Sequence, residues 1–156
     1  MNVIIGNLWD EVGRADLILV TTNAYITQDH RLVMGRGAAR EAAMRYPTLP
    51  SLLGDQILRH FKHLGEYGVI VIGGMPGGTE AIGAFQVKRH YREKADPQLI
   101  RRSAEGLVLH LAKYPYYKRV AMNFPGIGYG GLAENDVWPH IQDLPENVFI
   151  YRWRTE

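Results

Sequence analysis

The chain contains no cysteine and no long apolar run, and it has little excess charge of either sign. Without cysteine it can hold neither a disulfide framework nor a thiol nucleophile. No stretch approaches the roughly 20 apolar residues of a membrane-spanning helix, and no basic segment precedes the first apolar run, so we expect a cytoplasmic protein without membrane contact. The net charge of +2, from 18 Lys and Arg against 16 Asp and Glu, is too small to indicate a protein that binds nucleic-acid backbone generally.

Internal repeats and low-complexity segments are also absent, so we expect a single domain over residues 1–156. Short β-branched runs bounded by turn residues predict six strands: Asn2–Gly6, Leu17–Thr22, Gly68–Ile72, Ala81–Val87, Arg119–Phe124 and Asn147–Trp153. Helical spacing of apolar residues predicts four helices between them: Arg36–Tyr46, Ser51–Leu64, Pro97–Tyr114 and Asp136–Leu144.

Several strands are apolar on both faces, as in the stretches DLILVTT and VIVIG. A sheet of such strands needs helices on both sides, so the pattern predicts an α/β protein, a three-layer α/β/α sandwich. We expect Asp96 to cap the third helix, with Pro97 in its first turn. We expect Asp136 to cap the fourth, because Pro139 is tolerated only close to a helix start.

The loops that leave the strands are the expected binding positions, since ligands of open α/β sheets bind beyond the carboxyl ends of the strands. One such loop starts at Asn23 and ends in the run Met34-Gly35-Arg36-Gly37-Ala38, which enters a helix. Small residues there allow backbone N–H groups to approach an anion, and the helix dipole adds partial positive charge. The alternative is a glycine-rich turn that only changes the direction of the chain.

A second loop reads Gly126-Ile127-Gly128-Tyr129-Gly130-Gly131, which matches the G-x-G-x-x-G spacing of a dinucleotide-binding loop. That motif requires a βαβ unit and an acidic residue about 20 positions further on. Only 25 residues follow Gly131, and the residue at that position is Tyr151, so the Rossmann interpretation fails. Glycine still permits a diphosphate or ribose to lie against the main chain, so the loop remains a candidate binding segment.

A third loop follows the fourth predicted strand and carries the basic run Lys88-Arg89-His90-Tyr91-Arg92. The side chains of such a basic run usually form a solvent-exposed face without a binding function. Lys88 differs, because strand alternation places it on the opposite face from Phe85, Val87 and Arg89, where it can point into the crevice. A nucleophilic lysine must lose its proton, and desolvation or neighbouring cations lower its pKa.

Five stretches, in the same order and spacing over nearly the whole chain, resemble a macrodomain, the α/β/α module that binds ADP-ribose. They read VTTN, RLVMGRGAAREA, FQVKRH, LIRRSAEGL and NFPGIGYGGLAENDVWPHI. The resemblance is closest to the branch of DNA ADP-ribosyl glycohydrolase antitoxins and terminal ADP-ribose glycohydrolases. It implies a mixed sheet of about six strands, hydrolysis of an ADP-ribosyl linkage, no cofactor and no metal, and a monomer whose partners are ADP-ribose, an ADP-ribosylated substrate or ADP-ribosylated nucleic acid.

The resemblance also assigns residues to the parts of ADP-ribose. Asn23 matches the asparagine near the distal ribose, and Lys88 matches a lysine that attacks the anomeric carbon of the ADP-ribosyl group. The remaining positions form two phosphate-side loops and an adenine end: Met34, Gly35, Arg36, Gly37 and Ala38; Pro125, Gly126, Ile127, Gly128, Tyr129 and Gly130; Asn7, Leu8 and Tyr151. Tyr151 is the expected flat partner of adenine, while Phe149 and Trp153 are expected to be packing residues.

Two departures from the family pattern affect these expectations. Macrodomains commonly have Gly-Asp after the first strand, with the carboxylate accepting from the adenine amino group, whereas this chain has Gly6-Asn7. Asn7 accepts without charge, and Asp10 is an alternative acceptor. The protein-directed glycohydrolases carry an aspartate where this chain has Gly130, and the DNA-directed branch also lacks it, which disfavours a protein substrate.

Three other functions stay open from the sequence. A non-catalytic reader of ADP-ribose would keep both loops but have no use for Lys88, and a phosphatase acting on ADP-ribose 1″-phosphate would use the same cleft. Outside the family, a nucleic-acid-binding domain would use Arg89, Arg92 and Lys94. Near-neutral charge and the lack of an evident aromatic platform count against that last function.

Overall fold

A computed structural model of the protein describes residues 1–62, 64–75 and 81–153. Its strands are β1 Asn2–Ile5, β2 Leu17–Thr22, β3 Val69–Ile72, β4 Ala81–Gln86, β5 Val120–Asn123 and β6 Val148–Arg152. Its α-helices are α1 Gly37–Arg45, α2 Leu49–His60, α3 Pro97–Lys113 and α4 Glu134–Ile141. Short 3₁₀ helices span Leu8–Glu11 and Gly128–Gly130.

The strands form one mixed sheet in the order β1-β6-β5-β2-β4-β3. Neighbouring strands run parallel except β3, which pairs antiparallel with β4 at the edge. The carboxyl ends of β2, β4, β5 and β6 therefore meet at one edge of the sheet. The predicted α/β class and the mixed, six-stranded sheet are confirmed.

Each face of the sheet buries its own apolar cluster, as the strands' two-sided apolar pattern predicts. On one face Ile18, Val20 and Ile82 pack with residues of α1 and α2, among them Ala42 and Leu53. On the other face the strand residues Leu17, Leu19, Phe85 and Met122 pack with residues of α3 and α4: Ile100, Leu107, Val137 and Ile141. The sheet is thus the middle layer of a sandwich.

The predicted start of α3 is confirmed: the Asp96 side chain accepts from the Gln98 N–H at 2.9 Å, and Pro97 lies in the first turn. The predicted cap of α4 is wrong. The helix begins at Glu134 with Ala133 as N-cap, and the Asp136 N–H already donates to the Ala133 carbonyl at 3.0 Å. Glu134 and Asp136 instead place negative charge in the first turn, which the helix dipole favours.

Helix α2 also differs in its bounds from the prediction Ser51–Leu64. It begins at Leu49 and ends at His60. Pro50 fits the first turn, because N–H groups there have no acceptor within the helix. His63, within the predicted range, lies outside the described residues, as do residues 154–156 of the predicted domain. No helix in the described ranges is both long and apolar enough to cross a membrane.

Candidate functional site

A cleft of about 1060 Å³ opens beyond the carboxyl ends of the central strands. Thirteen of the sixteen predicted site residues line it: Asn23, Met34, Gly35, Arg36, Gly37, Ala38, Lys88, Gly126, Ile127, Gly128, Tyr129, Gly130 and Tyr151. The structure thus brings together two glycine loops and a lysine that are far apart in the chain. The three remaining predicted residues, Asn7, Leu8 and Pro125, do not line the cleft.

The first loop ends at the N-terminus of α1, which faces the cleft through Gly37, Ala38 and Ala39. The N-cap is Arg36, whose side chain makes no capping hydrogen bond, and the first turn contains no acidic residue. The first N–H groups of a helix have no acceptor within it, so those of α1 are available to an anion. This geometry supports the anion-binding interpretation of the loop over the simple turn.

The second loop turns through three glycines with left-handed backbone: Gly126, Gly128 and Gly131 have φ of 81°, 62° and 77°. A side chain is disfavoured at each of them. Gly130 has a different constraint, because a Cβ there would lie 3.2 Å from the Ala95 Cβ. The position that carries an aspartate in protein-directed glycohydrolases is therefore closely packed in this chain.

The two loops touch across the cleft. A Cβ on Gly37 would lie 3.4 Å from Cδ2 of Tyr129, so the tyrosine ring packs directly over the start of α1. Gly37 itself has φ of 60°, a conformation that glycine adopts without strain. Both features explain why the first loop has glycine at this position.

Asn23 lies at the end of β2, buried, with its side chain along the cleft wall. Its Oδ1 accepts from the Tyr25 N–H at 2.8 Å, and its Nδ2 donates to the Val33 carbonyl at 3.0 Å. These bonds hold together the two ends of the loop between β2 and α1. Asn23 therefore shapes the first loop as well as lining the cleft.

Lys88 follows β4 on the face that strand alternation predicts, since Phe85 and Val87 both belong to the opposite cluster, beneath α3 and α4. Its Nζ donates to the Tyr91 carbonyl at 3.2 Å. Burial of the amine and the nearby Arg36 guanidinium lower the pKa of Lys88, and the Glu93 carboxylate acts in the opposite direction. The amine consequently loses its proton more easily than a solvated lysine.

An aromatic platform lies beside Lys88, formed by Tyr25, His90 and Tyr91. The Tyr25 ring centroid is 4.7 Å from that of His90 and 5.3 Å from that of Tyr91, and the His90 and Tyr91 rings stack at 4.4 Å. The Arg92 Cζ lies 5.6 Å from the Tyr91 ring centroid. The expectation that an aromatic platform is missing is therefore wrong, and of its three residues Tyr91 lines the cleft.

The residues that the resemblance assigns to adenine differ most from expectation. Asn7 caps the first 3₁₀ helix by accepting from the Trp9 N–H at 3.0 Å, and Leu8 is a core residue. Tyr151 lines the cleft but is only 6% exposed, and its hydroxyl donates to the Glu11 carboxylate. Trp153, which was expected to be a packing residue, lines the cleft and is 49% exposed.

Other polar residues of the cleft gave no signal in the sequence. Asn123 at the end of β5 accepts from the Thr21 N–H at 3.0 Å and donates to the Thr21 hydroxyl at 2.8 Å. Glu134 and Arg152, which both line the cleft, form an ion pair. Within the described ranges, no three His, Asp or Glu residues come together as a metal site.

Solved structures share this fold over nearly the whole chain. The macrodomain of Thermus aquaticus DarG superposes with a TM-score of 0.73 at 19% identity, over 99% of this chain and 97% of that one. The macrodomain of Mycobacterium tuberculosis DarG gives 0.71 at 24% identity, over 96% of both chains. The chain has a macrodomain fold.

The predicted macrodomain resemblance is therefore confirmed at the level of the fold. The structure of Thermosipho africanus DarTG in complex with ADP-ribose is also similar, with a TM-score of 0.73 at 20% identity. That match covers 99% of this chain and 42% of the DarTG chain. No protein-family model matches the sequence, and a search of curated proteins finds no match.

Proposed function

We propose that this protein binds ADP-ribose in the cleft and hydrolyses an ADP-ribosyl bond with Lys88 as the nucleophile. The observation that carries the proposal is the position of the Lys88 amine, in the same cleft as the uncapped N-terminus of α1 and the second glycine loop. The cleft thus combines an anion-binding end with a partly desolvated amine.

The binding half of the proposal depends on the two loops. ADP-ribose carries a diphosphate, which suits the free N–H groups of α1, while the glycines of the second loop allow the main chain to approach it closely. A volume of about 1060 Å³ accommodates a ligand of this size. The similar Thermosipho africanus DarTG was solved with ADP-ribose.

The catalytic half begins with the neutral Lys88 amine. Its lone pair forms a bond to the anomeric carbon of the distal ribose, and the bond from that carbon to the leaving group breaks. The leaving group keeps the electron pair and takes the proton that the amine nitrogen gives up once its new bond has formed. Water then adds to the anomeric carbon, the carbon–nitrogen bond breaks, and the amine is regenerated, so that one water is consumed for each bond cleaved.

The aromatic platform favours a nucleic-acid base as the leaving group. It adjoins the nucleophile, because Lys88 Nζ donates to the carbonyl of Tyr91, one of its members. Tyr25 and Tyr91 are 42% and 39% exposed, so part of each residue is accessible to a base. Stacking of one base on an aromatic side chain contributes about 1–3 kcal/mol, and Arg92 adds positive charge beside it.

The test measures ADP-ribose affinity by calorimetry and turnover on thymidine-linked, guanosine-linked, glutamate-linked and 1″-phosphate ADP-ribose. We expect Lys88→Ala to bind ADP-ribose like the wild type and to lose turnover. Lys94→Ala is the matched control, since Lys94 lies in the same loop but does not line the cleft. Turnover that survives Lys88→Ala contradicts the mechanism, and a wild type that does not bind ADP-ribose contradicts the whole proposal.

The other two macrodomain activities give different results in the same assays. Wild-type binding without turnover on any substrate indicates a reader, and turnover confined to the 1″-phosphate indicates the phosphatase. For the leaving group, Tyr91→Ala should reduce kcat/KM on base-linked substrates and leave the glutamate-linked substrate unaffected. Equal losses on both would contradict the platform's role.

A further inference from the structure

Gln86, the last residue of β4, has a fully buried side chain whose hydrogen-bonding groups are all used. Its Oε1 accepts from the N–H groups of Tyr67 at 2.7 Å and Gly68 at 3.2 Å. Its Nε2 donates to the carbonyls of Gly65 at 3.0 Å and Lys88 at 3.2 Å. An amide has two acceptor sites and two N–H donors, so no capacity remains.

The Lys88 carbonyl accepts from the Gln86 side chain in place of a backbone N–H of a neighbouring strand. On the β2 side, the Val87 N–H donates to the Thr22 carbonyl at 2.9 Å, and the Arg89 carbonyl accepts from the Ala24 N–H at 3.0 Å. Lys88 lies between these two bonds, so its own carbonyl is directed to the other side. There the antiparallel edge ends, because the last backbone bond is from the Gln86 N–H to the Gly68 carbonyl at 2.8 Å.

The same buried unit also reaches the end of the neighbouring strand β2. Tyr67, fixed at its N–H by Gln86, donates its hydroxyl to the Asn23 carbonyl at 2.6 Å and pairs with the Thr22 hydroxyl. Neither Gln86 nor Tyr67 lines the cleft. The main chains at Lys88 and Asn23 are thus joined by two side chains outside the cleft, in addition to the direct backbone bonds between the two strand ends.

We propose that the Gln86–Tyr67 pair is a positioning device that fixes the main chain of Lys88 relative to Asn23, and so aims the amine at the anomeric carbon of a bound ADP-ribosyl group. This inference rests on the proposed function. The device acts through Lys88 and touches no ligand. A displacement of about 1 Å at a reacting group costs on the order of 100-fold in rate. The Gln86–Tyr67 pair should therefore affect turnover more than binding.

The decisive variant is Gln86→Glu. A carboxylate still accepts from Tyr67 and Gly68, but its second oxygen has no N–H for the carbonyls of Gly65 and Lys88 and repels them, so both donated bonds are lost. Ser103→Ala is the matched control: the Ser103 hydroxyl is equally buried and donates to the Gln86 backbone carbonyl at 2.7 Å, without any contact to Lys88. Gln86→Met, an apolar side chain of similar length, replaces Gln86→Glu if the buried charge prevents folding.

Three quantities are compared among these proteins: ADP-ribose Kd, kcat, and the NMR order parameters of the amides of residues 88–91. For Gln86→Glu we expect kcat to fall about tenfold or more, Kd to stay within about twofold, and the order parameters to fall. Ser103→Ala should leave all three unchanged. Unchanged kcat and order parameters in Gln86→Glu overturn the proposal, as do equal losses in Gln86→Glu and Ser103→Ala.

The order parameters separate this proposal from the proposed function. A wild type that hydrolyses none of the substrates contradicts the proposed hydrolysis. If the order parameters of residues 88–91 still fall in Gln86→Glu and not in Ser103→Ala, the positioning role of the Gln86–Tyr67 pair is supported. If these order parameters remain at wild-type values in Gln86→Glu, the positioning role is contradicted as well.

Discussion

The guanidinium carbon of Arg36 lies 5.4 Å from the ring centroid of Tyr129, and this contact joins the two glycine loops across the cleft. Arg36 is the N-cap residue of α1, and Tyr129, 67% exposed, belongs to the 3₁₀ helix of the second loop. An exposed cation–π contact contributes about 0.5–1 kcal/mol. The pair therefore stabilises the arrangement in which both loops face the cleft.

Tyr129→Ala should weaken ADP-ribose binding by about two- to fivefold, the equivalent of one exposed cation–π contact. Calorimetry measures the change. Tyr116→Ala is the control, because Tyr116 is 61% exposed but precedes β5 at the other end of the sheet. Equal affinities for wild type and Tyr129→Ala would show that the contact between the loops has no part in binding.

Arg36 also acts on the nucleophile. Burial is the largest cause of the lowered pKa of Lys88, and the Arg36 charge is the next. In Arg36→Ala the pKa of Lys88 should rise toward its ordinary value, so less of the amine is neutral at a given pH. The rise of kcat with pH should move to higher pH in Arg36→Ala and remain in place in Arg36→Lys, which keeps the charge. A rate profile identical to wild type in Arg36→Ala would exclude this coupling.

Glu11 gives a prediction about acid stability. Its fully buried carboxylate accepts from Nε and Nη2 of Arg119, both at 2.8 Å, and from the Tyr151 hydroxyl. The Arg119 hydrogen bonds lower the pKa of Glu11 below 4.5. A carboxyl whose pKa is lower in the folded state stabilises the fold fully above its unfolded pKa, and this contribution disappears as the pH falls through the folded pKa.

Glu11→Gln should therefore lower the free energy of unfolding by about 1.5–3 kcal/mol at neutral pH, since the partly exposed Arg119 loses a charge-assisted hydrogen bond. Its stability should also depend less on pH below 4.5 than that of the wild type. Urea denaturation at several pH values measures both effects. Asp55→Asn, which removes the exposed Asp55–Arg59 pair, should cost only about 0.3–0.5 kcal/mol, and a similar cost for Glu11→Gln would contradict the prediction.

The sequence predicts the fold well because its signals are local. Two-sided apolar strands require helices on both faces of the sheet, and that requirement alone gives three layers. Alternation along β4 predicts the side of Lys88 because Phe85 and Val87 are strongly apolar neighbours. The positions of the two glycine loops follow from the rule that ligands of open α/β sheets bind beyond the carboxyl ends of the strands.

The sequence does not reveal contacts between side chains from distant segments. Tyr25 meets His90 and Tyr91 only because β2 and β4 are neighbours, and no spacing within either segment indicates a platform. Gln86 reads as an ordinary strand residue, although its side chain satisfies four backbone groups. The start of α4 was predicted two residues late because Ala133, a poor capping residue, is the N-cap there.

Two helical glycines should respond oppositely to alanine. Gly106 lies within α3, and a Cβ added there meets no heavy atom within 4 Å, so Gly106→Ala should stabilise the protein by about 1 kcal/mol through helix propensity. Gly54 lies within α2, where a Cβ would stand 2.1 Å from the His30 carbonyl oxygen. Gly54→Ala should destabilise the protein by displacing that loop. Thermal unfolding measures both, and equal shifts would contradict the packing at Gly54.

Trp153 is the better candidate for the flat partner of adenine, because its ring is 49% exposed at the cleft while Tyr151 is 6% exposed and bonded to Glu11. Trp153→Ala should weaken ADP-ribose binding by about 1–3 kcal/mol, the contribution of one aromatic stacking contact, with little change in stability. Tyr151→Phe should show the reverse, since Glu11 loses a buried donor while the cleft keeps its shape. Calorimetry with ADP-ribose and with ribose 5-phosphate, which lacks adenine, separates the two: Trp153→Ala should affect only the first ligand. If Tyr151→Phe weakens ADP-ribose binding and Trp153→Ala does not, the original assignment of Tyr151 is correct.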